Sequence, residues 1–329
     1  MWCDETRSVQ ERLAEAPGLR RVGTGEFALF DLYDLVALAE GEFGVVIDAE
    51  APNCGEELAE LKRRLRWRDP AERSPFSYRQ CYWILDPGTE ERVGTIAVAD
   101  TVSGRDAAKV SSLYVRPGRR GCGLASGALE AVYGAALGCG LSGLRLDTEW
   151  TWASAVDFYL RRGYWLFSWK HCLTFARASY LPPYTLREAG GRDLVFAVRL
   201  PSGWTDLITA SVSDEGRLVL TEHEAYAALE AERHALAWHT APTLSIQLAV
   251  RGLPLVRGPE QEAVAAEGWW SDSGWPEGLA RKIETFERVA RESGRRVPGT
   301  EGRYALHARH VTRRPPADPA GDPVGLRPR

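Results

Sequence analysis

The sequence predicts a mixed α/β fold, a sheet flanked by helices, followed by a second α+β region. Three observations predict it. Leu113–Ser126 reads as an alternating apolar segment that runs through a glycine-rich turn into Ala/Leu-rich sequence: strand, turn, helix. Before it, Cys81–Leu85 and Arg92–Val98 are apolar runs joined by the turn signal Asp86-Pro87-Gly88, which is a hairpin pattern. After Leu181-Pro182-Pro183-Tyr184, which reads as a linker, strand and helix patterns begin again. A chain of 329 residues is expected to hold two domains, since single cores stop growing near roughly 250–300 residues. The boundaries expected are 1–178 for the first and 179–312 for the second. Arg313–Arg329, with five prolines, reads as a disordered tail.

In chain order, Phe27–Ala39 reads as a strand entering a helix and Val45-Val46-Ile47 as a short strand. Glu56–Arg66 has Leu58, Leu61 and Leu65 on one helical face, with Asn53 as N-cap and Asp69-Pro70 as the stop. The hairpin leads through Ser103-Gly104 into a strand at Val110–Val115. Gly121–Gly140 is a helix whose Leu124, Ala128, Val132 and Ala136 share a face. Gly127 and Gly134 each cost it up to about 1 kcal/mol relative to alanine, which close packing onto a sheet would explain. Leu144–Leu146 is the next strand, Thr151 caps a helix ended by Gly163, and Tyr164–Phe167 with His171–Phe175 form a hairpin.

In the second region Leu194/Phe196/Val198, Leu207-Ile208 and Leu218–Leu220 read as strands, with a turn at Ser213-Asp214-Glu215-Gly216. Thr221-x-x-Glu224 is a capping box opening a helix to about Trp238. Leu244, Ile246, Leu248 and Val250 alternate as a strand, and Pro276 opens a helix carrying Leu279, Ile283, Phe286 and Val289. Three strands, helix, strand, helix repeats the order of the first region. A degenerate second copy and an unrelated α+β module both fit.

Composition narrows the function. A net charge of −4 gives no field that would recruit nucleic acid. No apolar run approaches the roughly 20 residues of a membrane span, and the N-terminus has no signal-peptide pattern, so no membrane partner is expected and the cytoplasm is the expected location. Six scattered cysteines (Cys3, Cys54, Cys81, Cys122, Cys139, Cys172) form no Cys-x-x-Cys pair and read as free thiols. His234 and His239 are five apart and diverge on a helix, so with His223 they read as capping or surface residues, and no metal is expected. Only Lys62, Lys109, Lys170 and Lys282 of the 41 basic residues are lysine, which reads as GC-rich, bacterial coding sequence.

The chemistry concentrates at Arg116-Pro117-Gly118-Arg119-Arg120-Gly121-Cys122-Gly123-Leu124. A helix start has backbone N–H groups without internal partners and the positive end of the dipole. Glycine admits positive φ and close approach of a ligand, and cations add charge-assisted hydrogen bonds. This is a phosphate site. It lacks the Gly-Lys-Ser/Thr of a P-loop and the acidic residue of a dinucleotide fingerprint. Arg120-x-x-Gly123-x-Ala125 resembles the acyl-CoA loop of the GCN5-related N-acetyltransferase (GNAT) superfamily. Leu113-Tyr114-Val115-x-Pro117 resembles that family's fourth strand, and Ala155-x-x-Phe158-Tyr159-x-x-x-Gly163-Tyr164 its following helix. The resemblance spans roughly Val93 to Phe175.

The resemblance implies a mostly antiparallel GNAT-like sheet, acetyl-CoA or another acyl-CoA as co-substrate, and a small-molecule or peptide amine as acceptor. It implies that Leu113, Tyr114 and Val115 offer backbone groups to pantetheine and the oxyanion, and that Arg120, Gly121, Cys122, Gly123, Leu124, Ala125 and Ser126 hold the pyrophosphate. Tyr159 would protonate the thiolate leaving group as general acid. One strand and two helices before the second strand would shape the acceptor site. Two departures stand out. Where many members have a glutamate near the start of the fourth strand, this chain has Ala107-Ala108-Lys109, which leaves Asp106 or Glu149 as a candidate base, with water-mediated deprotonation or an acceptor of already low pKa as the alternatives. Where the family often has asparagine stands Trp152, one of Trp150, Trp152, Trp165 and Trp169, which line an apolar pocket or pack the join to the C-terminal half. The expectation is an N-acetyltransferase acting by direct attack of a primary amine in a ternary complex. The alternative is a non-catalytic acyl-CoA-binding sensor or assembly module. A homodimer is left open.

Overall fold

The computed structural model describes residues 8–51, 54–67, 79–99, 107–149, 152–168, 172–190, 193–212, 218–232, 234–251 and 311–314. The chain divides into two compact units, Met1–Asp147 with Ala176–Ser179 and Thr148–Phe175 with Tyr180–Arg329.

The first unit starts with α1 (Val9–Leu13), where Ser8 and Glu11 cap each other's backbone, and β1 (Leu19–Arg21). α2 (Phe27–Phe43) follows, then α3 (Gly55–Arg64). Phe27–Ala39 is therefore helical throughout and contains no strand. The physical reason is periodicity, since Phe30, Tyr33, Val36 and Ala39 recur every three residues and are all buried. Val45–Ile47 is likewise not a strand but irregular chain, held where Tyr114 Oη donates to the Ile47 carbonyl at 3.2 Å. α3 starts from Cys54 and ends before Asp69-Pro70; Asn53, Asp69-Pro70, Ser103-Gly104 and Thr151 lie outside the described residues.

β2 (Arg79–Leu85), β3 (Arg92–Ala99), β4 (Ala107–Val115), α4 (Leu124–Gly138) and β5 (Gly143–Thr148) complete this unit's main elements. The strands lie in the order β1-β2-β3-β4-β5, antiparallel until β4, which runs parallel to β5. Cys81, Trp83, Ala97 and Tyr114 pack with α2 and α3 on one face. Tyr82, Ile84, Ile96 and Val98 point the other way, where α1 and α4 lie and Tyr82 Oη donates to the Gln10 carbonyl. β3 is buried on both faces, which is why its apolar residues run on without strict alternation. Gly94 is required there: a Cβ would sit 2.3 Å from the Tyr114 carbonyl oxygen. Gly127 and Gly134 have no such reason. They are exposed and an added Cβ would meet nothing within 4 Å, so close packing onto the sheet does not explain them.

The second unit holds α5 (Ala153–Arg161), β6 (Trp165–Ser168) and the start of β7 (Leu173–Ala178). It continues through β8 (Tyr184–Glu188), β9 (Leu194–Leu200), β10 (Gly203–Val212), β11 (Leu218–Glu222), α6 (Glu224–Ala231), α7 (Ala235–Val250) and β12 (Val311–Arg314). β8 to β11 form an antiparallel meander, and β12 pairs in parallel with β11 at the edge. Arg313 and Arg314, the first residues of the expected tail, are thus strand. The helix expected from Pro276 lies outside the described residues.

Two expectations fail here. Thr221 is strand, α6 starts from His223 without a side-chain cap, and the helix ends at Ala231. Leu244–Val250 is not a strand but the end of α7. This helix is buried nearly all round, so its apolar residues carry no helical signature and their alternation is incidental. Its polar side chains turn inward to the backbone: Thr240 and Ser245 each donate to the carbonyl four residues earlier. Among the described residues from Tyr184 to Val250 the order is four strands then two helices.

Candidate active site

β4 is the element that makes a site. Its ladder with β5 runs from Ala107↔Gly143 to Val110↔Leu146, while β4 itself continues to Val115. Its pairing with β3 is broken between Thr95 and Ala97 by a bulge at Ser112, whose φ of 53° lies in the left-handed region. Such a backbone costs roughly 1 kcal/mol or more unless its surroundings hold it. Here Thr95 Oγ1 donates to the Ser112 carbonyl at 2.9 Å, and Ser112 Oγ donates to Asp34 Oδ2 on α2 at 3.1 Å. Leu113 is half-buried; Tyr114 is buried, and burial pushes its phenol up to about 12.

From the end of β4 the chain passes through a short 3-10 turn, Pro117–Arg119, and reaches α4. Gly121 and Gly123 have φ of 80° and 82°, and a Cβ on either would meet nothing. They are there for conformation and clearance, not packing. Gly123 is the N-cap of α4, so no side chain caps the first-turn N–H groups around Leu124, Ala125 and Ser126, all half-buried. Cys122 is exposed. Leu113 to Ser126 are therefore brought together on one strand, turn and helix start.

The arginines of the loop are occupied by carboxylates. Arg120 Nη1 and Nη2 bond Glu40 at 2.7 and 2.6 Å, Nε donates to the Val115 carbonyl, and the guanidinium lies over the Tyr114 ring. Arg119 pairs with Asp86 and Glu91. Arg116 pairs with Asp48 and Glu91; burial opposes the Asp48 charge, and the Arg116 hydrogen bonds still hold its carboxyl below the usual range. Sequence reasoning named the arginines and missed Glu40, Asp34 and Asp48, whose partners lie 68 to 80 residues away. Lys109, at the place of the family's glutamate, pairs with Asp147 at 2.8 Å. Asp106 lies outside the described residues.

Tyr159 belongs to the second unit. It is 7% exposed, with Phe158, Tyr164 and Phe175 rings 5.3 to 5.7 Å away, and burial raises its phenol well above the ordinary value. Glu149, half-buried, accepts the Trp152 amide with its backbone carbonyl at the start of α5. Later elements hold this region. Tyr184 Oη donates to the Leu160 or the Tyr164 carbonyl, the latter at 2.8 Å, and the Trp165 indole donates to Pro182. Thr243 Oγ1 accepts the Leu166 amide, and His239 bonds the Leu166 carbonyl while stacking on Phe167. His223 is bonded to Thr209 and His234 accepts the Leu236 amide. Trp150 and Trp169 lie outside the described residues; Trp165 packs on Tyr184 and Phe196.

No protein of curated function matches the sequence. Among solved structures, a GNAT-family acetyltransferase from Staphylococcus aureus Mu50 is 15% identical, covering 49% of this chain and 98% of that one, with a TM-score of 0.34. The PaiA N-acetyltransferase of Thermoplasma acidophilum, solved with coenzyme A, is 12% identical over 49% and 97%, TM-score 0.34. An acetyltransferase from Thermus thermophilus is 20% identical over 49% and 95%, TM-score 0.32. A sequence model of the acetyltransferase (GNAT) family matches residues 47–164, the stretch that contains β4, the glycine turn, α4 and α5. It is over that stretch, residues 47–164, that the chain is similar to the acetyltransferase (GNAT) family.

Proposed function

We propose that the protein is an acyl-CoA-dependent N-acyltransferase that passes an acetyl group from acetyl-CoA to a primary amine by direct attack in a ternary complex. The observation that carries the reading is the stretch of β4 at Leu113–Val115, past the end of its β5 ladder at Val110 and continuous with a glycine turn and an α4 start that no side chain caps. An extended pantetheine arm can add to such a stretch as a strand would. Its pyrophosphate then meets backbone N–H groups of Gly121–Ser126 and the positive end of α4. N–H groups of Leu113–Val115 serve the oxyanion as the amine nitrogen bonds to the carbonyl carbon. The carbon–sulfur bond breaks and the thiolate takes a proton. Tyr159 is assigned that proton on its place in the Ala155–Tyr164 motif, and a phenol raised by burial stays protonated until it is needed.

One observation favours the non-catalytic reading: the place of the family's glutamate holds a lysine paired with Asp147. Free-thiol release from acetyl-CoA with a panel of primary amines decides between the two. Turnover is expected, with Tyr159→Phe lowering kcat about 10²-fold or more at unchanged CoA affinity. CoA binding with no thiol release across the panel sinks the enzyme, and an undiminished rate in Tyr159→Phe removes its role.

A further inference from the structure

We infer that Tyr184 and Gln247 are positioning residues for Tyr159, so that chain beyond the family match sets the aim of the acid. The inference rests on the acyltransferase reading and on Tyr159 as its proton donor. α5 ends in a Schellman motif. The Tyr164 amide donates to the Tyr159 carbonyl and the Gly163 amide to the Leu160 carbonyl, both at 3.1 Å, with Gly163 at a φ of 74°. In that motif the residue after the glycine packs on the third residue from the helix end. Here those two are Tyr164 and Tyr159, whose rings lie 5.7 Å apart. The Tyr159 hydroxyl makes no hydrogen bond among the described residues, so packing against Phe158, Tyr164 and Phe175 is what aims it. The aim of the phenol is thereby tied to the cap of its own helix.

The cap is gripped from later in the chain. Of the two carbonyls in reach of Tyr184 Oη, that of Tyr164 is the nearer, at 2.8 Å against 3.2 Å for Leu160. Gln247 Nε2 donates to Tyr184 Oη at 3.3 Å and to the Leu160 carbonyl at 3.5 Å. The sense of the Gln247 amide is settled by Arg251, one turn further along: a guanidinium can only donate, so Oε1 turns to it and the N–H pair is left for the cap. The donors thus run one way, from Arg251 to Gln247 to Tyr184 to Tyr164, and each member of such a chain polarises the next. Gln247 is 5% exposed, so water does not readily replace a partner lost there. The Tyr184 ring is packed by Trp165 and Phe196, which holds its hydroxyl on the cap and lets that hydroxyl be removed without emptying the core. Tyr184, Gln247 and Arg251 all lie beyond residues 47–164.

The test is a double-mutant cycle on the full chain, with Tyr184→Phe and Gln247→Met each combined with Tyr159→Phe. The rate is thiol release from acetyl-CoA with a primary amine of the panel. Each single variant should lower kcat about tenfold or more at unchanged KM for acetyl-CoA, because a small misplacement of a reacting group is costly while the donor's binding groups are untouched. In the Tyr159→Phe background neither should slow the enzyme further, since no proton donor is left to aim. Hydrogen exchange should show the Tyr164 amide opening faster in both. Should one variant not fold, the other carries the cycle. An unchanged rate, or the same fold loss with and without the Tyr159 hydroxyl, overturns the positioning role; the latter result assigns the pair to stability. A Tyr159→Phe enzyme at full speed removes the acid and its positioning together and leaves the acyltransferase standing. No thiol release by the wild type across the panel removes the acyltransferase reading and the positioning role with it.

Discussion

The guanidinium of Arg120 makes three hydrogen bonds, two to Glu40 and one to the Val115 carbonyl, over the Tyr114 ring. A charge so matched adds little field at the helix start, so the proposed phosphate site rests on backbone. The consequence can be measured in Arg120→Gln, which keeps a hydrogen-bonding side chain and removes the charge. Its CoA affinity should fall by less than about fivefold, roughly 1 kcal/mol, while its unfolding free energy drops by about 1 kcal/mol or more as Glu40 loses its partner. Isothermal titration and urea unfolding read the two; a large affinity loss at constant stability would return Arg120 to the phosphate. The glycines of the turn were legible because positive φ leaves a mark on composition. Glu40 was not, since an ion pair across 80 residues leaves no local pattern.

At the scale of elements, α4 is a helix that tolerates two exposed glycines, Gly127 and Gly134, with open space where a Cβ would go. Gly134 sits in mid-helix, far along from the turn, so Gly134→Ala should stabilise the protein by up to about 1 kcal/mol with CoA affinity unchanged. A lower urea midpoint would mean that something packs there after all. β2 and β3 were legible as apolar runs around a turn signal, β4 by its alternation, and α4 by its four-residue period and the glycines at its end. α7 was misread for the opposite reason: burial on every side erases the period that distinguishes helix from strand. α2 escaped because its buried face repeats every three residues and includes a tyrosine, Tyr33, whose hydroxyl donates to Glu50. That β4 outlasts its ladder with β5 was expected from the resemblance alone, for nothing in Ser111–Val115 says where the ladder ends.

At the scale of the molecule, the N-terminal strand is fastened through Glu26. Its carboxylate accepts from Arg20, the Gly23 amide, the Trp83 indole and Arg92, which ties β1, β2 and β3 together. The Arg20 bond foremost, then the Gly23 amide, lower its pKa from 4.5 to about 2. A carboxylate lowered on folding adds stability that is full above the unfolded value and is lost as pH falls through the folded one. Melting temperatures of the wild type and Glu26→Gln should therefore differ most above about pH 4.5 and converge toward pH 2. A gap independent of pH would remove Glu26 from the acid limit of the fold.

The fastening of α5 and β6 by residues far downstream has a consequence for the order in which the protein is made. The Leu160 and Tyr164 carbonyls are met by Tyr184, and the Leu166 amide is met by Thr243, 77 residues later. At about 5–20 residues per second, a ribosome needs roughly 4 to 15 s to cover that interval. During those seconds β6 has been synthesised without its Thr243 bond, and the stretch that matches the family model, residues 47–164, waits on sequence beyond its own bounds.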